Sequence, residues 1–230
     1  PKEQKDLTTD YTLRAVDFIK KNKDNPFFLY VAHRMTHVPL YVHDKNENKT
    51  KNGLYADVMW EIDWSVCKII DSLKENRIDE KTLVIFTTDN GTSNGYKYSR
   101  KEKKWLGFTA GMRGTKTSEY DGGHRVPFII KWKNGKLIGG QNYSGLSAHV
   151  DMLPSLLSLA KIPFSSRKKI DGTDLSKYIL NQKEADRMLV TDTQRNLWPE
   201  KGKQSCVMYG NWRLVNGLSL IHISEPTRQA

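Results

Sequence analysis

Apolar positions along the chain alternate between two spacings. Residues 10–21 carry Ala15, Val16 and Ile19 at helical spacing, and Asn25-Pro26 closes that element. FFLYVA (27–32) is a run of β-formers and predicts a strand. Residues 55–75 place Val58, Ile62, Val66, Ile69, Ile70 and Leu73 on one stripe of a long helix. The apolar run 83–86 predicts a buried strand over 82–88, and VPFIIKW (126–132) predicts another. Asp151 reads as the N-cap of a helix over MLPSLLSLA, with Pro154 tolerated in its first turn. Strands alternating with long helices predict an α/β fold with a central, mostly parallel sheet flanked by helices. After about residue 180 the texture changes. MLVTDT, SCVMYG and WRLVNG read as short strands, the last two flanking a Gly210-Asn211 hairpin turn. They predict the start of a small antiparallel subdomain over 181–217, after a larger unit over 1–180.

Composition narrows the function classes. The 230 residues are 37% hydrophobic, enough for a core, and no apolar run approaches the roughly 20 residues of a membrane span. The net charge is +11, but its basic residues are scattered through KKNK, RKEKK and SRKKID without a nucleic-acid motif. They read as solvated surface that also suits an anionic substrate. Cys67 and Cys206 have no metal or redox spacing and read as free thiols. The opening PKEQKDLTTD lacks an initiating Met and an apolar stretch, so it reads as the middle of a longer chain.

Chemistry gathers at the predicted strand ends. The strand over 82–88 delivers Asp89 and Asn90 side by side at its carboxyl end, followed by Gly91. Asp-Asn-Gly suits a turn, but ligands of parallel α/β sheets also bind beyond strand carboxyl ends. His33 and His37 follow strand 27–32 in the same way. The long polar loop 89–124 carries Lys116 within GMRGTKTSEYDGGHRVP, and loops of such length are commonly functional. Of these, His37, Asp89, Asn90 and Lys116 are expected to converge in space.

FFLYVAHRMTHVPLYV, YADVMWEIDWSVCKIIDSLKENRIDEKTLVIFTTDNG, MRGTKTSEYDGGHRVPFIIKW and SAHVDMLPSLLSLA…IDGTDLSKYI resemble successive segments of the sulfatase family, in that family's order. The resemblance implies an alkaline phosphatase-like α/β domain with a smaller antiparallel sheet. It implies that Asp89 and Asn90 help bind Ca²⁺, for which carboxylate and amide oxygens are suitable hard ligands. Asn90 stands where zinc-dependent relatives in the superfamily tend to carry His, which disfavours zinc. His37, within Thr36-His37-Val38-Pro39, matches the residue that protonates the leaving oxygen. Lys116 matches the residue that binds a sulfate oxygen. Arg125 and Asp151 also match family positions but read as structural, and His149 is a lesser candidate for the border of the substrate pocket.

The expected activity is hydrolysis of sulfate monoesters, aryl or glycan, by an exported periplasmic or extracellular enzyme. A superfamily phosphohydrolase and a non-catalytic binding protein are the alternatives. The family's nucleophile is a formylglycine made from a Cys/Ser-x-Pro-x-Arg motif, which neither Cys67 nor Cys206 begins; Ser224-Glu225-Pro226-Thr227-Arg228 has that spacing but falls in the adapter-like tail 218–228. That motif and the remaining metal ligands lie upstream in the family. The Lys116 loop is accordingly expected to be the part most easily displaced. Asn48-Lys49-Thr50, Asn90-Gly91-Thr92 and Asn142-Tyr143-Ser144 match the glycosylation sequon, and metal ligation would forbid a glycan at Asn90. LSLIHISEPTR (218–228) resembles the translation of a transposase adapter used in sequencing libraries. The natural sequence is therefore expected to end near Gly217, with a tail that makes few core contacts and no family-like strand pairing.

Overall fold

The computed structural model describes residues 3–93, 110–137, 139–165, 169–193, 204–215 and 220–222. The chain forms two compact units. The first comprises residues 1–84 and 132–135, and the second comprises 85–131 and 136–230.

In the first unit, α1 (Leu7–Asn22) packs on α2 (Leu54–Glu75). Ile19 of α1 meets Leu73 and Ile78, and Phe27, Leu29, Ile69 and Val84 pack around them. Residues 27–32 alternate in exposure, with Phe28 and Tyr30 exposed and Phe27 and Leu29 packed inward. Yet they join no sheet among the described residues, so the expected strand is a segment without a ladder. β-Propensity sets the conformation of a segment, whereas a ladder also needs a neighbour.

The buried face of α2 is more polar than its apolar stripe suggests, because Asp57, Glu61, Ser65 and Ser72 are buried with Val58, Ile62 and Leu73. Their partners explain this. Asp57 accepts from the Asn48 and Thr50 amides (2.8 Å each) and from the Thr50 hydroxyl (2.7 Å). Glu61 accepts from the Asn46 side chain at 2.8 Å. Lys45 and Lys49 lie over the Trp64 and Trp60 rings. The polar segment 43–52 is thus fastened along the helix.

In the second unit, β1 (Val84–Thr87) pairs with β2 (Phe128–Lys131) in a two-stranded sheet. A four-residue helix α3 (Asp121–His124) precedes β2. Helix α4 (Met152–Leu159) follows Asp151, as expected. The carboxylate of Asp151 does not cap α4, however. It accepts from the amides of Ala148 and Thr173 (2.8 Å each) and from Arg187 at 2.7 Å. Ser155 of α4 accepts from the Leu175 amide at 2.9 Å. These bonds seat IDGTDL and the short α5 (Ser176–Leu180) on α4, which accounts for a fully buried Asp151.

The final sheet is antiparallel in the order β3 (Met188–Thr193), β4 (Gln204–Tyr209), β5 (Trp212–Val215), β6 (Leu220–His222). The first three strands and the two-residue turn at Gly210-Asn211 match the sequence reading, and Gly210 takes φ +50° there. Register puts Met188, Tyr209 and Trp212 in one row and Val190, Val207 and Leu214 in the next. These rows share the outer face. Cys206, Met208 and Val215 are buried on the other face, with Tyr120, Leu146 and Leu189 packed against them. Within the tail, residues 220–222 pair antiparallel with β5, Trp212 opposite His222. An open edge offers unpaired amides and carbonyls to any adjacent extended segment, whatever its origin. Cys67 and Cys206 are free thiols.

Candidate functional site

β1 ends at Thr87, and the chain then turns through Thr88, Asp89 and Asn90. Asp89 is exposed and Asn90 half-buried. The Asn90 amide nitrogen donates to the Gly91 carbonyl (2.9 Å), which fixes the amide and leaves its oxygen available as an acceptor.

The Gly-rich loop lies directly on this turn. The Gly91 amide donates to the Gly123 carbonyl (2.9 Å), and the Lys116 amide donates to the Thr92 carbonyl (2.6 Å). Gly122 donates to Arg113 at 2.8 Å, closing the loop on itself. The Arg113 guanidinium stacks 4.0 Å from the Tyr120 ring centroid. The glycines are required by space. A Cβ on Gly91 would overlap the Gly122 carbonyl, and one on Gly122 would overlap that of Gly114. Main chain therefore packs on main chain, and the segments bearing Asp89, Asn90 and Lys116 are brought together. The loop expected to be displaced is tied down over its described part, 110–124; residues 94–109 lie outside the described residues.

Asp89 and Asn90 offer a carboxylate and an amide oxygen, a donor chemistry that fits part of a Ca²⁺ sphere of about 6–8 oxygens. Among the described residues no cluster of three His, Cys, Asp or Glu side chains stands ready for a metal. The pair thus fits as a contributor to a calcium site, completed by other ligands.

His37 belongs to the first unit and is exposed. Its Nδ1 is 2.7 Å from the Val38 carbonyl, which can only accept. The proton of the neutral ring therefore sits on Nδ1, and Nε2 is the nitrogen free to exchange one. His33 has a different fate. Its Nε2 lies 3.2 Å from Ser65 Oγ, which in turn meets Thr12 of α1 at 2.6 Å. Burial pushes its pKa below the ordinary value, so it is a neutral packing residue.

His149 is exposed, with Nε2 3.3 Å from the Thr87 hydroxyl at the end of β1. Arg125 is exposed and pairs with Asp121 at 3.4 Å. Arg213, a β5 residue 6% exposed, was not singled out by sequence reasoning. Its guanidinium forms an ion pair with Asp121 and donates to the Glu119 carbonyl (3.2 Å). It also donates to His124 Nε2 at 2.6 Å. Burial, reinforced by the Arg213 charge, lowers the His124 pKa and keeps that ring neutral, as this bond requires. A lone arginine in a hairpin carries no sequence signal for such a role.

The family model described as Sulfatase matches residues 1–162. The chain is 32% identical to human steryl-sulfatase over 175 residues, covering 76% of this chain and 30% of that protein. It is 35% identical to the N-acetylgalactosamine-6-sulfatase of Canis lupus familiaris over 183 residues, covering 79% and 34%. The chain thus spans about a third of the length of these curated relatives. The crystal structure of Ps i-CgsB in complex with k-i-k-neocarrahexaose superposes with a TM-score of 0.77 at 25% identity, covering 93% of this chain and 47% of that one. Family model, relatives and fold agree over the segments that carry the Asp-Asn turn and the Gly-rich loop: the chain belongs to the sulfatase family.

Proposed function

We propose that this chain forms part of a calcium-dependent sulfatase that hydrolyses sulfate monoesters, with a sulfated glycan as the substrate class. The observation that carries the reading is the seating of the Lys116 loop on the Asp89-Asn90 turn through the Gly91–Gly123 and Lys116–Thr92 hydrogen bonds. The strand end that bears Asp89 and Asn90 and the loop that bears Lys116 are thereby joined through their main chains. The glycan assignment rests on relatives, among them the N-acetylgalactosamine-6-O-sulfatase of Bacteroides thetaiotaomicron and the oligosaccharide complex of Ps i-CgsB.

Asp89 and Asn90 would supply two calcium ligands. When bound, the ion supplies positive charge to a sulfate oxygen and to the nucleophile's environment. Lys116 stabilises the negative charge that builds on the sulfuryl oxygens as the ester bond breaks. As the imidazolium, keeping its Nδ1 proton on the Val38 carbonyl, His37 donates the Nε2 proton to the departing ester oxygen, which would otherwise leave as a poor alkoxide. His149, beside the end of β1, borders the substrate. The nucleophile would be the formylglycine that the family resemblance implies, and this reading assigns it to no residue of this sequence. The same reading completes the fold with a mostly parallel central sheet that includes residues 27–32. It places the enzyme in the periplasm or outside the cell. No helix among the described residues is long and apolar enough to cross a membrane.

The test uses the full-length enzyme, a chromogenic aryl sulfate, a sulfated oligosaccharide and metal analysis of the purified protein. Asp89→Ala with Asn90→Ala should lose both calcium and turnover. Lys116→Met and His37→Gln should keep calcium and lose turnover. Full calcium content in the Asp89/Asn90 double variant would overturn the metal assignment.

A further inference from the structure

Arg213 lies on the buried face of the antiparallel sheet, yet its guanidinium serves the Gly-rich loop. Its partners there are the Asp121 carboxylate, the Glu119 carbonyl and the His124 ring. Within the sheet it also donates to Cys206 Sγ at 3.4 Å. A buried guanidinium without a carboxylate would be strongly disfavoured, so the Asp121 pair specifies one arrangement of loop on sheet. Tyr120 extends the same junction by packing against Cys206, Met208 and Val215.

The residues so gripped, 119–124, are those that seat the turn. Gly123 accepts from Gly91, and Gly122 reaches back to Arg113 across the loop that carries Lys116. We propose that Arg213 is a positioning residue. Through Asp121 and the Glu119 carbonyl it holds loop 111–125, and so sets where Lys116 stands relative to the Asp89-Asn90 turn. The antiparallel sheet then fixes the geometry of the sulfate-binding loop as well as packing beside it. The catalytic part of this inference rests on the role proposed above for Lys116; the mechanical part does not.

Two arms separate them. In this chain, amide hydrogen exchange is followed in wild type, Arg213→Met, Arg213→Lys and Asp121→Asn. Positioning predicts exchange at least about 10-fold faster in segments 89–93 and 111–125, with α4 and β3–β4 little changed, since local opening has its own free energy. Asp121→Asn keeps the shape of the loop side chain and must show the same pattern should Arg213→Met fail to fold. Arg213→Lys should fall between wild type and Arg213→Met. Uniform acceleration throughout the second unit, or none in 111–125, would overturn the proposal. In the full-length enzyme, Arg213→Met should lower kcat about 10–100-fold with a smaller change in KM, the scale typical of outer-shell partners. That loss should vanish in a Lys116→Met background. A kcat loss that persists undiminished in that background would overturn the route through Lys116. A Lys116→Met enzyme of full activity, with the local exchange pattern intact, would refute the role of Lys116 and leave the Arg213 latch standing.

Discussion

Replacing Lys116 by methionine deletes a charge while keeping a side chain of similar length, and the Lys116–Thr92 bond is made by the main chain. The variant should therefore fold as the parent does and lose about 10²–10³-fold in kcat, the scale of one lost charge-stabilising donor. Loss of the His37 acid should cost about 10²–10⁴-fold, most with the poorest leaving groups. An aryl sulfate series of graded leaving-group acidity checks this, and equal losses across the series would contradict an acid role. The two histidines of HRMTH show how far single residues are legible. The local Thr-His-Val-Pro pattern favours His37, and the structure occupies His33 with Ser65 and Tyr11. Arg213 escapes such reading because its loop partners Glu119 and His124 lie 94 and 89 positions away, and only the folded sheet joins them.

Helices and strands were legible where one face is apolar and the element makes its own bonds. Thus α1, α2, α4 and β3–β5 lie close to their expected positions. The pattern is silent where polar groups are buried in company, as along Asp57 and Glu61 of α2, because burial there depends on the distant loop 43–52. Two neutral, half-buried histidines give each unit a pH-dependent stability. His33 and His124 both have pKa values lowered from the ordinary 6.5, by burial in each case. The unfolded chain then binds more protons than the folded one below about pH 6.5, so stability is full above that value and falls as pH drops. Asp121, Glu119 and Arg213 face His124, whereas His33 faces Ser65 and Tyr11. The Asp57 carboxyl, held low chiefly by the Thr50 amide, weakens folding only below its ordinary 3.8. Melting temperature should therefore fall between about pH 7.5 and 5.5, and His33→Gln with His124→Gln should flatten that slope. An unchanged slope in the double variant would assign the effect elsewhere.

For the whole molecule, the proposed reading assigns an acid, a cation and two metal donors, while the only Cys/Ser-x-Pro-x-Arg spacing, Ser224–Arg228, stands in the adapter-like tail. The 230-residue chain alone should show no turnover of an aryl sulfate with added calcium. Turnover abolished by His37→Ala would mean that a nucleophile lies within it. The outer rows of the antiparallel sheet, with Met188, Val190, Tyr209, Trp212 and Leu214 exposed, should also make the isolated chain prone to self-association. The close-packed glycines bear on how the family's history is read. Gly91, Gly122, Gly123 and Gly172 each have a main-chain carbonyl where a Cβ would stand, whereas Gly139 has open space and no positive φ. In a saturation library scored for folded protein, the first four positions should reject every side chain, and position 139 should accept many. Invariance beside the Asp-Asn pair would then record a demand of packing, and a search that equates constancy with chemistry would credit these glycines with catalysis they do not perform.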